Sequence, residues 1–348
     1  MTSFLIRWYN QLDDHGILIS LGRKFSNYTP PYLYLMALAT LTSGILSKVA
    51  AIKLISIIFD VYAAWIVFRI IRLRYPDGFM PYLAGSIYFS LPTILINSSV
   101  WGQADSIYTA FLLTCVYFLL KEMPLKAVLF FALAVAFKQQ ALFLAPFLLV
   151  LTLQKKIPWY FFVLVPVVYI ILVAPTVFLG RSWQDVLTIY FSQASGGKAL
   201  SRNAANLYIF ISRELYPLLI KPSLAAGSIA VLAWVGYTWH FTKRMDRKTL
   251  LLMALISVGL TPFVLPKMHD RYFYPADALS LIVGFYVPGT WFLPILYQAV
   301  SLLSYMPFLL NISGQRYVQT AAIINTLTVG FLLWKQWKMT SDAEKPDP

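Results

Sequence analysis

Charged residues and cysteine are both scarce in this sequence. Only 12% of its 348 residues are Asp, Glu, Lys or Arg, against roughly 25% in a soluble domain. This scarcity excludes an ordinary globular enzyme, a disordered chain and a coiled coil. Cys115 is the one cysteine, so the chain has no disulfide framework and no cysteine metal site. Three histidines at unrelated positions argue against a histidine-based zinc site.

Acidic residues are scarcer than basic ones. The chain has 14 Asp and Glu against 28 Lys and Arg, which gives a formal net charge of +14. The cations are scattered between apolar segments and form no long basic stripe, so no nucleic-acid partner is expected. Because 59% of the residues are hydrophobic and the mean hydropathy is +0.69, the sequence predicts an integral membrane protein of many helices.

Apolar runs bounded by glycine, proline and charge predict an all-α polytopic bundle, because a helix needs about 20 residues to cross the hydrocarbon core. We expect one transmembrane domain over 1–348, with about 10 to 11 spans and a re-entrant or outer-face helix. The predicted apolar segments are 30–47, 51–70, 79–97, 105–121, 126–154, 158–180, 222–242, 249–266, 273–290, 292–311 and 317–336.

Two of these segments do not fit a simple span. The run 126–154 is interrupted by a Lys-Gln-Gln triplet at 138–140, so we predict two short helices that meet near one membrane face. The run 30–47 is short and opens with two prolines, which are tolerated in the first turn of a helix. We predict that this short helix lies against the outer face or dips into it.

Basic residues cluster tightly at five places between the apolar segments. If all five clusters lie in the cytoplasm, as the positive-inside rule requires, the spans between them alternate consistently. The outer-face loop and helix are then 1–49, the longest extracytoplasmic loop is 181–221, and a cytoplasmic tail covers 335–348. The five clusters are Arg69/Arg72/Arg74, Lys121/Lys126, Lys155/Lys156, Lys243/Arg244/Arg247/Lys248 and Lys335/Lys338.

Several unusually polar stretches all fall on the predicted outer face. One runs from Trp101 to Asp105, where one predicted helix ends and the next begins. Asp105 is either a helix N-cap or a carboxylate that binds a metal ion or a sugar hydroxyl. Gln103 beside it offers an amide to the same ligand.

A second polar stretch consists of Lys138 with Gln140 close behind it, inside an apolar run. An ionisable group within the membrane is costly and marks a functional site, unless its charged end reaches the interface. Both interpretations stay open for Lys138. The neighbouring glutamines favour a polar pocket.

His269, Asp270 and Arg271 form the densest polar motif, and tyrosines flank it at 272 and 274. The planar guanidinium of arginine matches the oxygens of a phosphate group. The motif is therefore either a phosphate or pyrophosphate site, or an interfacial anchor of cations and aromatic rings.

Five strings, taken in order, are similar to one known group of membrane enzymes. They are FSNYTPPYLYL, NSSVWGQADSIYTAFLL, ALAVAFKQQALFLAPFLL, SRNAANLYIF and PKMHDRYFYPAD. The chain resembles the GT-C superfamily of integral-membrane glycosyltransferases. Within it, the most similar group is the bacterial mannosyltransferase-like one, which is related to the enzyme that adds the second mannose of GPI anchors. The resemblance extends from about residue 3 to about residue 335.

The resemblance implies an inverting transferase on the extracytoplasmic face of a bacterial plasma membrane. It would transfer a hexose from a polyprenyl-phosphate-linked donor to a lipid or glycan acceptor, and cations at the surface would hold the lipid phosphate. A divalent cation, Mg²⁺ or Mn²⁺, would bind at Asp105 if one is used. Catalytic roles are implied for Asp105, His269 and Asp270. Substrate-binding roles are implied for Gln103, Lys138, Gln140, Asn206, Tyr208, Arg271 and Tyr28.

The chain departs from the family's pattern at its start. In the family a helix precedes the first outer loop, and an acidic general base lies shortly before the stretch that matches 4–9. Met1-Thr2-Ser3 stands in that place. Two interpretations stay open: the start of the sequence is misassigned or truncated, or the chain has lost the first helix and the base and is inactive as it stands. The alternatives to a transferase are a polytopic transporter or lipid-glycan flippase, and a non-catalytic scaffold derived from a transferase.

Overall fold

The computed structural model describes residues 3–312 and 314–343. Over these residues the protein is an all-α polytopic helix bundle, as predicted, and strand is confined to a two-residue parallel pairing of β1 (Ser201–Arg202) with β2 (Met268–His269). The α-helices are α1 (Ser3–His15), α2 (Ile17–Leu21), α3 (Pro30–Thr40), α4 (Lys48–Arg72), α5 (Met80–Ser90), α6 (Pro92–Leu95), α7 (Asp105–Leu120), α8 (Pro124–Phe137), α9 (Ala145–Leu153), α10 (Leu164–Phe178), α11 (Trp183–Leu187), α12 (Ile189–Ser195), α13 (Tyr216–Phe241), α14 (Arg247–Val264), α15 (Tyr274–Tyr286), α16 (Leu293–Leu309) and α17 (Gln315–Ala343).

Five helical segments of the described chain are long and apolar enough to cross a membrane, which makes this a multi-pass membrane protein. A sixth span exists if α5 and the helical turns of 92–100 count as one helix that bends by 47° at the break between them. Four further apolar helices are 10 to 17 residues long. The predicted total of about 10 to 11 spans requires several of these shorter helices to cross as well and stays a prediction. The five segments are Lys48–Arg72, Trp159–Phe178, Arg213–Phe241, Arg247–Val264 and Gln315–Asp342.

The two irregular segments have the predicted helical form. The run 126–154 is divided into α8 and α9, because the backbone at Lys138 is extended (φ −156°, ψ 132°) and six residues of 3₁₀ helix follow it. Helix α3 has 11 residues, a length of about 16 Å that is too short to cross a hydrocarbon core of about 30 Å. Its position relative to the membrane stays a prediction.

Three predicted boundaries differ from those observed. Helix α13 begins at Tyr216, with proline in its first turn, so the predicted loop 181–221 ends earlier than expected. Helix α17 continues to Ala343, so the predicted tail from 335 begins inside a helix. The predicted segment 79–97 bends at Leu91, whose backbone is non-helical because a residue before proline avoids the α region.

Helices α7 and α14 form the centre of the bundle. Nearly every side chain of α7 is buried, and 83% of the apolar window of α14 is buried as well. Because a helix that is apolar on all sides could also face lipid, it is the burial of α7 and α14 that places them within the bundle. Helix α7 extends from the cleft described below to the opposite end of the bundle, where its last residues lie close to the start of α14.

Candidate functional site

A cleft of about 440 Å³ opens at the end of the bundle where α7 begins. Its wall combines four cations, a set of aromatic rings and one carboxylate. The cations are Lys198, Arg202, Arg213 and Arg271, the aromatic rings are Phe4, Trp101 and Phe308, and the carboxylate is Asp270. A cavity of this size with convergent polar groups is the usual form of a small-molecule binding site.

The short parallel pairing of β1 with β2 closes one side of the cleft. It pairs Arg202 with His269, and Arg202 Nη1 donates a hydrogen bond of 2.8 Å to His269 Nε2. Because a guanidinium only donates, the imidazole accepts at Nε2 and is neutral, with its proton on Nδ1. The Asp270 amide also donates to the Arg202 carbonyl at 3.1 Å. These contacts hold the loop after α12 against the loop after α14.

A buried ion-pair network lies directly behind the cleft. Asp105, the first residue of α7, is fully buried, and its Oδ1 accepts a hydrogen bond from Lys138 Nζ. Its Oδ2 accepts from Asn97 Nδ2 at 3.0 Å and lies 3.7 Å from Arg271 Nη1. Two cations and the positive end of the α7 dipole therefore stabilise the ionised carboxylate.

Arg271 connects this network to the cleft. Its Nη1 donates to Gln103 Oε1, and its Nε lies 3.5 Å from Asp270 Oδ1. The guanidinium also lies 5.0 Å from the ring centroid of Trp101, a cation–π distance. Trp101 in turn stacks on Phe308 with centroids 4.5 Å apart. The buried indole N–H of Trp101 has no hydrogen-bond acceptor among the described residues. Asp270 Oδ1 has no hydrogen-bond donor among them.

Burial shifts the pKa values of Asp270 and His269, the two titratable groups of this motif, in opposite directions. Burial raises the pKa of Asp270 to about 6, although the Arg271 charge opposes the shift. Burial lowers the pKa of His269 to about 3, and the positive charges of Arg271 and Arg202 add to this effect. At neutral pH Asp270 is therefore ionised and His269 is neutral.

Most of the predicted site residues come together, although they lie far apart in the chain. Gln103, His269, Asp270 and Arg271 line the cleft, and Asp105 and Lys138 form the network behind it. The ammonium group of Lys138 also lies 5.8 Å from the centroid of the Tyr28 ring. Gln140 is buried and does not line the cleft.

Asn206 and Tyr208, predicted as substrate-binding residues, lie outside the cleft and hold backbone. Asn206 Nδ2 donates to the Leu265 carbonyl at 3.2 Å, and its Oδ1 accepts from the Tyr208 amide at 3.2 Å. The Tyr208 hydroxyl lies 2.8 Å from the Val264 carbonyl. The last carbonyls of a helix lack partners within it, so both side chains stabilise the end of α14.

Several cleft residues were not predicted. Arg202 belongs to the SRNAANLYIF string, and Trp101 belongs to the polar stretch before α7, so a sequence signal existed for both. Arg213 and Phe308 have no such signal, because they are brought to the cleft by the starts and ends of distant helices.

The residues present do not fit the divalent cation expected at Asp105. Both carboxylate oxygens already accept hydrogen bonds, one from Lys138 and one from Asn97, and a second cation lies within 4 Å. In the described part of the chain no group of three or more His, Cys, Asp or Glu side chains lies close enough to hold a metal ion. Two cations beside the one carboxylate would repel Mg²⁺ or Mn²⁺.

The fold and the cleft together define a multi-pass helical membrane protein with a cation-rich site at one end of its bundle. No protein-family model matches the chain, and no curated protein matches it at a significant level.

The pKa shifts of His269 and Asp270 should make opposed and nearly cancelling contributions to the pH dependence of stability between about 4 and 6. In this range the folded protein binds fewer protons than the unfolded chain at His269, whose ordinary pKa is 6.5, and more at Asp270, whose ordinary pKa is 3.8. The first difference lowers stability as the pH falls and the second raises it, each by up to about 1.4 kcal/mol per pH unit.

Single variants should expose the two opposed slopes. Relative to the wild type, the apparent melting temperature of Asp270→Asn should fall as the pH is lowered from 6.5 to 4, because the Asp270 contribution is removed and the His269 difference remains. That of His269→Gln should rise over the same interval as Asp270 gains its proton. Melting temperatures of the purified protein at matched pH values measure both slopes. Parallel curves for the wild type and both variants would contradict the assignment.

Proposed function

We propose that this protein is a mannosyltransferase-like glycosyltransferase that moves a hexose from a polyprenyl-phosphate-linked donor to a lipid or glycan acceptor. The observation that carries the proposal is the cleft wall, where the carboxylate of Asp270 lies among four cations and an aromatic surface. Cations match the phosphate of such a donor, aromatic rings match the faces of a sugar, and a carboxylate matches a general base.

The proposed reaction is a single displacement with inversion. The acceptor hydroxyl oxygen forms a bond to the anomeric carbon, the bond from that carbon to the phosphate oxygen breaks, and polyprenyl phosphate leaves with the electron pair. The acceptor proton passes to Asp270, whose pKa of about 6 leaves it ionised at neutral pH yet basic enough to accept a proton. Arg271 and Arg202 offset the negative charge that develops on the leaving phosphate.

Asp105 has a different role in this proposal from the one that the resemblance implied. The residue is fully buried, and both of its oxygens accept hydrogen bonds, so no acceptor hydroxyl reaches it. Asp105 is a positioning residue that holds Arg271 from behind the cleft. We assign the general base to Asp270, because this residue lines the cleft and its Oδ1, 3.5 Å from Arg271 Nε, has no hydrogen-bond donor among the described residues.

The predicted topology supports an extracytoplasmic site in a bacterial plasma membrane. Four of the five basic clusters assigned to the cytoplasm lie at or next to helix ends, and Lys335/Lys338 lie inside α17. Polyprenyl-phosphate donors carry an anionic head at the membrane surface. A cation-rich cleft at the opposite end of the bundle suits such a donor.

The experiment that tests the proposal is transfer by the purified protein from polyprenyl-phosphate-linked hexoses. Asp270→Asn should reduce the turnover rate by about 10²- to 10⁴-fold and leave donor binding within a fewfold of the wild type. Asp185→Asn makes the same change in a surface carboxylate that pairs with Lys24 and should leave turnover unchanged. Full turnover with Asp270→Asn, or no transfer from any such donor by the wild type, would refute the proposal.

A further inference from the structure

A second cavity of about 510 Å³ lies at the opposite ends of the two central helices. It is enclosed by the end of α7, the start of α8, the end of α9 and the start of α14. Its floor is apolar, because Leu119, Leu120 and Leu151 belong to the hydrophobic core. The half-buried side chains of Met123 and Met245 form its walls.

The rim of this cavity is strongly basic. Lys156 and Arg247 line it directly. Lys156 is exposed, and its ammonium group has no hydrogen bond or ion pair among the described residues, while Arg247 Nη1 donates to the Leu73 carbonyl at 2.9 Å. The two acids at the rim do not balance this charge, since Asp246 also serves as the N-cap of α14 through Thr249. Eight cations lie at or next to the rim in the chain, namely Lys121, Lys126, Lys155, Lys156, Lys243, Arg244, Arg247 and Lys248, against two acids, Glu122 and Asp246.

We propose that this cavity binds an anionic phospholipid of the surrounding membrane. The head-group phosphate would lie between Lys156 and Arg247, and the upper part of an acyl chain would cover the apolar floor. The apolar lining distinguishes a lipid from a free phosphate ion, because the half-buried side chains of Met123, Met245 and Leu250 leave apolar surface that only a ligand with hydrocarbon gains free energy by covering. The rim distinguishes an anionic lipid from a zwitterionic one, because basic cavities between helices attract acidic head groups.

This site is separate from the cleft and does not depend on the proposed transferase activity. Helix α7 begins with Asp105 in the network behind the cleft and ends with Leu119 and Leu120 in the lipid cavity. Its 16 residues separate the two sites by about 24 Å. The cavity therefore has no contact with a donor bound among the cleft cations.

The test is lipid binding to the delipidated full-length protein in a neutral detergent, measured by native mass spectrometry. Three probes are compared: phosphatidylglycerol, phosphatidylcholine with the same acyl chains, and inorganic phosphate. The proposal expects retention of phosphatidylglycerol alone. Lys156→Gln/Arg247→Gln should weaken that binding by roughly tenfold.

Two further variants keep the result interpretable. Met123→Trp fills the cavity without a change of charge and should also weaken phosphatidylglycerol binding. Lys335→Gln/Lys338→Gln removes two cations that belong to the same predicted membrane face but do not line the cavity. This control pair should leave phosphatidylglycerol binding unchanged. The proposal is overturned if neither cavity variant weakens binding, if the control pair weakens it equally, or if phosphate or phosphatidylcholine binds as well as phosphatidylglycerol.

Discussion

Replacing Arg271 by lysine should lower sugar transfer by about 10²-fold, although the charge is conserved. The guanidinium of Arg271 contacts Gln103 and lies close to Asp105 and Asp270 at the same time. It also packs against the Trp101 ring. An ammonium group has no planar fork, so lysine cannot keep all these contacts and still present donors to the departing phosphate. Turnover of purified protein with a saturating polyprenyl-phosphate-linked donor measures the effect.

A matched substitution separates the role of this guanidinium from a general loss of arginine. Arg316→Lys changes an exposed arginine outside the cleft lining and should leave turnover within twofold of the wild type, as expected for a surface substitution. Melting temperatures of both variants should be recorded beside the rates. Equal turnover for Arg271→Lys and the wild type would remove Arg271 from the proposed mechanism.

Replacing Lys138 by methionine should destabilise the protein by about 3–5 kcal/mol, because it removes a cation from a fully buried carboxylate. The Lys138 ammonium donates directly to Asp105 Oδ1, and the side chain of Asp105 is 0% exposed. Arg271 remains 3.7 Å from the other oxygen and does not donate to it. Thermal unfolding of the purified protein in detergent, followed by circular dichroism, measures the change.

The double variant Lys138→Met/Asp105→Asn tests whether charge causes this loss. Removing both members leaves no uncompensated carboxylate, so the double variant should be more stable than Lys138→Met alone. Lys48→Met breaks a partly exposed 3.8 Å pair with Asp13 and a 2.8 Å hydrogen bond to Asn10, and should cost less than about 1 kcal/mol. A double variant no more stable than Lys138→Met would mean that lysine packing, not its charge, stabilises this region.

The sequence was sufficient to select most of the polar groups of the site. Lys138 stood out because a cation inside an apolar run is costly, and Asp105 stood out as a carboxylate at a predicted helix start. Neither pattern predicted that the two form an ion pair, because 33 positions separate them and the contact depends on how α7 packs against the end of α8.

The same limit applies to two predicted residues that lie outside the cleft. Asn206 and Tyr208 have side chains that suit a sugar, and their string resembles a family motif. In the structure they donate hydrogen bonds to the carbonyls of Leu265 and Val264. These carbonyls lack a partner within the helix because α14 ends there. The chemistry of a polar side chain does not by itself show whether the side chain binds a ligand or an unpaired backbone group.

Hydrophobicity and charge by themselves determined that this is a multi-pass helical membrane protein, because long apolar helices in a lipid bilayer satisfy their own backbone groups. The tertiary structure alone decided which polar side chains meet. The neutral state of His269 depends on its burial and on the charges of Arg271 and Arg202, and the raised pKa of Asp270 depends on its burial beside a cleft built by distant helix ends. Contacts between residues far apart in the chain, and the burial that shifts their pKa values, are absent from any local pattern of residues.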